Sequence, residues 1–288
     1  MALSGVATGL LAASKEGVFV NALVRSKRDL TSVGIFAVWL TVVLTLDVSA
    51  GVWSQRALGA ASWLVLFGLL HGEGHTVRAQ VAVVVLFATA VEYTASPLLG
   101  LYTYRLHNVP AFVPPGHGGL YLAALALGRS EIFTRYGKRL CALVTIIGAM
   151  WVLWGVTLSD RKDWLGVLMF ALFVRTVAAG RAPSVFASTF ILTAALELLG
   201  TSLGNWTWAL RDPTGLVSIG NPPSGIAGGY CIFDAVALAG GPALATLISR
   251  MASAFRASRL RAAMVRHRVR SAALSPPSGQ FPLLPSLE

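Results

Sequence analysis

The sequence predicts an all-α polytopic membrane protein of about eight spans. Three observations carry that reading: 55% of the residues are hydrophobic against 12% charged, apolar runs recur nearly from end to end, and basic residues collect in alternate connections. A soluble domain of 288 residues carries about twice that charged fraction. In lipid every backbone N–H and C=O must be bonded within the protein, so long continuous apolar runs read as helices. They do not suit the alternating strands of an outer-membrane barrel.

Residues 1–30 form a basic segment with Arg25, Lys27 and Arg28 ahead of a first span at 31–47. No cleavage pattern follows that run, so it reads as a retained helix and not as a secretory signal. Spans at 57–71, 79–98 and 116–128 complete a first membrane half, 31–128. The segments 57–71 and 116–128 fall short of the roughly 20 residues that cross hydrocarbon unaided, and read as re-entrant or as extended into their neighbours. A basic inner loop at 129–138, with Arg129, Arg135 and Lys138, leads to a second half, 139–249, with spans at 139–158, 164–180, 185–204 and 226–249. A basic helix at 250–270 follows, and 271–288 is a Pro- and Ser-rich tail expected to be disordered.

The charges orient the chain. Lys and Arg gather before the first span, around 129–139 and after residue 249, while the alternate connections are near neutral. Eight spans with both termini cytoplasmic satisfy the positive-inside rule, and seven break it. The formal net charge of +11 is therefore assigned to topology. The arginines of "RMASAFRASRLRAAMVRHRVR" are expected on anionic lipid at about 1 kcal/mol each near the surface, not on nucleic acid. Cys141 and Cys231 sit in apolar surroundings, where buried free thiols are the expectation.

Two stretches resemble each other. "VEYTASPLLGLYTYRLHNVPAFVPPGHGG" (91–119) and "LELLGTSLGNWTWALRDPTGLVSIGNPPSGIAGG" (196–229) share a membrane glutamate, a glycine, an aromatic-Thr-aromatic triplet, an arginine and a double proline followed closely by glycine. The matched residues are Glu92, Gly100, Tyr102, Tyr104 and Arg105 against Glu197, Gly204, Trp206, Trp208 and Arg211. In the eight-span topology both copies run in the same direction, which predicts a parallel four-plus-four internal repeat. Glu92 and Glu197 are then expected to face each other across a pseudo-two-fold axis.

Ionisable residues inside spans are costly and read as functional. Glu92, Glu197 and Asp234 are the candidate catalytic acids, since a carboxyl in low dielectric holds a proton that it can deliver. Capping a helix or bonding a neighbouring one is the plainer use of such groups. His117, where a helix starts in "VPPGHGG", is a candidate for proton transfer or headgroup orientation. Tyr102, Tyr104, Trp206 and Trp208 are expected to stack on a developing cation or a polyene, the plainer alternative being an interfacial aromatic belt. Arg105, Arg211, Asn221 and Tyr230 complete the expected substrate contacts, although a capping role for Asn221 fits equally. Arg175 lies near a span end, where it can snorkel. "HGEGH" (71–75) has histidines four apart, but Gly72 and Gly74 weaken a helix and the HExxH order is missing, so an inner-loop turn is expected and no metal. No Walker loop, dinucleotide fingerprint or GxSxG elbow occurs, and no cofactor is expected.

The order of glutamate, Gly-rich helix end, paired aromatics and "VP" resembles the membrane-embedded carotenoid-biosynthesis hydratases, which add water to a terminal double bond of long polyenes. "NVPAFVPPGHGGLYLAALALGRS" and "GNPPSGIAGGYCIFD" are also similar to a family of actinobacterial multi-pass membrane proteins. The likeness covers the segments around 92–129 and 197–234. It implies Glu92 as acid, Tyr102 and Tyr104 as polyene contacts, and the Glu197 region as partner. The proline loops depart from the hydratase pattern. The expected function is an integral membrane enzyme acting on an isoprenoid, carotenoid-like or other lipid substrate by carboxylate acid/base chemistry. A proton-coupled transporter or lipid flippase, and a non-catalytic subunit of an envelope complex, are the alternatives.

Overall fold

The computed structural model describes residues 27–274. Helix α1 is Lys27–Asp47, followed by α2 (Val52–Leu70), α3 (His75–Tyr93), the strand β1 (Tyr102–Tyr104), α4 (Val113–Gly128), α5 (Glu131–Thr157), α6 (Trp164–Ala178), α7 (Pro183–Ser202), β2 (Trp206–Trp208) and α8 (Ala227–Leu274). By contacts within the chain it divides into two compact units, Met1–Pro242 and Ala243–Glu288.

Among the described residues five helices are long and apolar enough to cross a membrane: Lys27–Asp47, His75–Leu98, Glu131–Thr157, Pro183–Ser202 and Ala227–Arg259. The chain is thus a helical multi-pass membrane protein. Of the expected spans, those on α2, α4 and α6 fall outside this set by length or composition, so the described residues support five spans and not the full count of about eight. The physical reason is clearest at α4. It is a 16-residue helix packed against α2, α3 and α7, with most of its side chains buried in protein. A helix so enclosed has its surface covered by its neighbours, and its length need not match the lipid.

Other boundaries also move. Helix α5 begins at Glu131, so the predicted inner loop 129–138 is helical except for Arg129 and Ser130. The predicted basic helix 250–270 is the continuation of α8. Residues 1–26 and 275–288, including most of the predicted N-terminal segment and tail, lie outside the described residues.

Both strands follow their helices through a glycine in the left-handed region, Gly100 at φ 63° and Gly204 at φ 75°. A side chain there would be strained, which is why glycine stands at both of these turns. Ahead of Gly100, α3 widens into a π turn, Thr94–Leu98, around Pro97, a residue with no N–H to give to a regular helix. The strands pair antiparallel, Tyr102 opposite Trp208, Thr103 opposite Thr207 and Tyr104 opposite Trp206. The pairing is therefore centred on the two threonines.

Two buried aspartates lock these connections. Asp47 at the end of α1 accepts from Gln55 Nε2 (2.8 Å) and Asn205 Nδ2 (2.9 Å). Asp163 caps α6, accepting from Gly166 N (2.9 Å), and also gathers Gly220 N (2.9 Å) and Ser224 N (2.6 Å). Backbone N–H groups that converge in this way satisfy a buried carboxylate and fix the loops that carry them. At the other end of the helices Arg129 meets both oxygens of Asp29, at 2.6 and 2.7 Å. Arg129 also binds Glu73, and Arg28 reaches Glu73 at 2.6 Å. That is where the Glu73 of "HGEGH" is used. Cys141 and Cys231 are free and buried.

Candidate active site

A cavity of about 310 Å³ opens where α1, α3, α4, α6, α7 and α8 surround the paired strands, and its wall is overwhelmingly apolar. Glu92, Glu197, His117, Tyr102, Tyr104, Trp206, Trp208 and Tyr230 all line it. Glu92 and Glu197 thus open onto the same space.

Each glutamate is held by its own half of the chain. Glu92, 6% exposed, accepts at Oε2 from Tyr102 Oη (2.6 Å) and Tyr104 Oη (2.8 Å), and its Oε1 lies 2.7 Å from His117 Nε2. Glu197, 2% exposed, accepts at Oε2 from Trp206 Nε1 (2.9 Å) and Trp208 Nε1 (3.1 Å), while Tyr230 Oη is 3.3 Å from Oε1. The triplet alternation explains this. In an extended strand residues i and i+2 share a face, so both aromatics of each triplet turn inward and the threonine turns out, as the burial shows. Gly200 allows the fit on the α7 side: a Cβ there would sit 1.9 Å from the Trp206 ring.

The two sites differ in chemistry. Tyr, Tyr and His partners can exchange protons, whereas indole N–H groups only donate. Both Glu92 oxygens are engaged by short bonds, while Oε1 of Glu197 has only the long contact to Tyr230. Burial, then the Glu92 charge, pushes the Tyr102 and Tyr104 phenols well above their ordinary pKa, so both remain donors. His117 is stacked on Tyr230 at 5.3 Å and meets Phe233 edge-on at 5.4 Å, which fixes its ring toward Glu92.

Several expected contacts lie elsewhere. Asp234 accepts from Thr189 Oγ1 on α7 and does not line the cavity. Arg105 binds the Ala50 carbonyl and lies 3.7 Å from Asp47; it is a brace for the strand turn. Arg211 donates to the Gly215 carbonyl (2.9 Å) in an exposed loop. Asn221 caps no helix here: its Oδ1 accepts the Trp208 amide at 3.0 Å, holding β2 in place. Each of these side chains is engaged by a nearby partner, a threonine hydroxyl for Asp234 and backbone groups for the other three. Reasoning from sequence missed Asp47, Asp163 and Asn205, which position the strands. Their only signal was a loop charge or amide next to a helix end. Searches of family models, curated proteins and solved structures find no match to this chain.

Proposed function

We propose that the protein is an integral membrane enzyme that performs acid/base chemistry on the neutral end of an isoprenoid or similar apolar lipid, hydration of a terminal double bond being the reaction that fits best. The observation that carries this is one apolar cavity holding two differently hydrogen-bonded carboxylates and an imidazole. Among the described residues its lining contains no Lys or Arg, so a phosphate headgroup would meet two carboxyl groups with neither guanidinium nor ammonium to offset them. A hydrocarbon end meets aromatic faces.

Glu197 is the proton donor in this reading, because its Oε1 has room for a proton. The proton passes from that oxygen to the terminal alkene carbon, and the π electrons form the new C–H bond. The cation left on the neighbouring carbon is stabilised by the ring faces of Tyr102, Tyr104, Trp206 and Trp208. Water then adds to it and gives its proton to the Glu92–His117 pair, so that one water is gained overall. General acid/base help of this kind contributes about 10²–10⁴ in rate.

The strand pairing centred on Thr103 and Thr207, together with the two equivalent glutamate cradles, supports the four-plus-four duplication and an axis between the halves. The cytoplasmic placement of both termini and lipid binding by the basic part of α8 belong to the same proposal.

The test is mass spectrometry of lipid and pigment extracts from a native-host deletion strain carrying wild type, Glu92→Gln or Glu197→Gln. A precursor that accumulates one water short of its product, rescued only by wild type, supports the enzyme. An unchanged lipid inventory contradicts it and turns attention to transport or assembly.

A further inference from the structure

Asp234 takes no part in the cavity, yet it is 3% exposed in an apolar bundle. An ionisable group there is costly without a task. It belongs to a column of buried polar side chains. On α7, Glu197, Thr193 and Thr189 follow at four-residue intervals along one face, each step rising about 6 Å. On α4, His117 and Tyr121 stand at the same interval and Arg129 caps the helix beyond them. On α8, Tyr230 and Asp234 repeat it.

Cross-links join the three helices. His117 stacks on Tyr230, and Tyr230 Oη reaches Glu197 Oε1. Lower down, Thr189 Oγ1 donates to Asp234 Oδ2, and Tyr121 is close enough to feel the charges of Asp234 and Arg129. Cys231, on the same helix, is also close enough to feel the Asp234 charge. Between these levels the hydroxyls of Thr193 and Tyr121 are enclosed and have no hydrogen-bond partner among the described residues. An unpaired buried hydroxyl is costly, so each such orphan in a native protein calls for an explanation, a bound water or a functional role among them.

We infer that Asp234 is a proton relay that recharges Glu197 from the end of the bundle holding Arg129, by way of Thr193. In the relay the Asp234 carboxylic acid loses its proton toward Thr193 while the Thr193 hydroxyl gives its own proton to the Glu197 carboxylate. One O–H bond forms for each that breaks, and the negative charge moves from Glu197 to Asp234. Asp234 is bonded to Thr189, one four-residue step of about 6 Å from Thr193 on α7, and a single water making two ordinary hydrogen bonds reaches across such a step. A hydronium proton from solvent at the Arg129 end then reprotonates Asp234 and leaves water behind. The inference rests on the reading of Glu197 as proton donor.

The test is pH-jump infrared spectroscopy of the full chain in liposomes, following the C=O stretch of protonated carboxyl groups. The wild-type minus Glu197→Gln spectrum first identifies the Glu197 band. Recovery of that band is expected to slow on the order of tenfold or more in Asp234→Asn and in Thr193→Val, with Asp234→Glu close to wild type. Recovery at the wild-type rate in either slow variant overturns the relay and leaves the Glu197 assignment standing. Thr193→Val removes no charge and decides the matter if Asp234→Asn fails to fold. If Glu197→Gln removes no band at all, the donor reading falls and takes the relay with it, before any relay variant is compared.

Discussion

At Glu92, three partners converge on two oxygens within 2.8 Å. Tyr102→Phe or Tyr104→Phe removes one donor without changing ring size. Each variant is expected to lose about 1.5–3 kcal/mol of stability, as for a hydrogen bond to a charged group, and to lower turnover. Chemical unfolding in detergent checks the first, product formation the second. The same phenols set a pH limit. Burial and the Glu92 charge raise their folded pKa above the ordinary 10.0, so their stabilising contribution is complete below pH 10 and is lost as pH rises further. An unfolding midpoint that falls in alkali for wild type, and falls less for the double Phe variant, is the expected result. These residues were legible in the sequence because a glutamate in an apolar run and a repeated aromatic-Thr-aromatic triplet are visible without coordinates. Asp47 and Asp163 were not. Their partners, Asn205, Gly220 and Ser224, lie far along the chain, and a loop aspartate has the same appearance whether solvated or buried.

Helix lengths and close approaches position the site. Gly200 on α7 lets the Trp206 ring lie against the helix backbone. Gly200→Ala is expected to displace that indole from Glu197 and to cost about 1–3 kcal/mol by overpacking, seen as a lower unfolding midpoint and altered tryptophan emission. At the opposite end, burial opposes the Arg129 charge, but the hydrogen bonds it donates to Asp29 and Glu73 outweigh it and raise its pKa. Arg129→Met leaves Asp29 with only the longer approach of Arg28 at 3.7 Å and is expected to cost about 3 kcal/mol, the low end for breaking a buried pair, because Arg28 still holds Glu73. Denaturant titration measures it. The apolar runs located all eight helices within a few residues at most ends. They did not reveal that α4 is wrapped by protein, since an apolar side chain serves a lipid face and a protein face equally well.

The molecule as a whole places two near-equivalent glutamate cradles around one apolar space, and differentiates them by what donates to each: phenols and an imidazole at Glu92, indoles at Glu197. In the proposed reaction that difference in donors is what separates the acid from the base. The central claim is that these two carboxylates add water to a neutral lipid end. It is tested most directly by incubating the purified, reconstituted full chain with lipid extract from the deletion strain in ¹⁸O-labelled water. Wild type is expected to yield a product carrying one labelled oxygen, with conversion lower by about 10² or more in Glu92→Gln and Glu197→Gln. A product without the label, or equal conversion by both variants, would contradict the account.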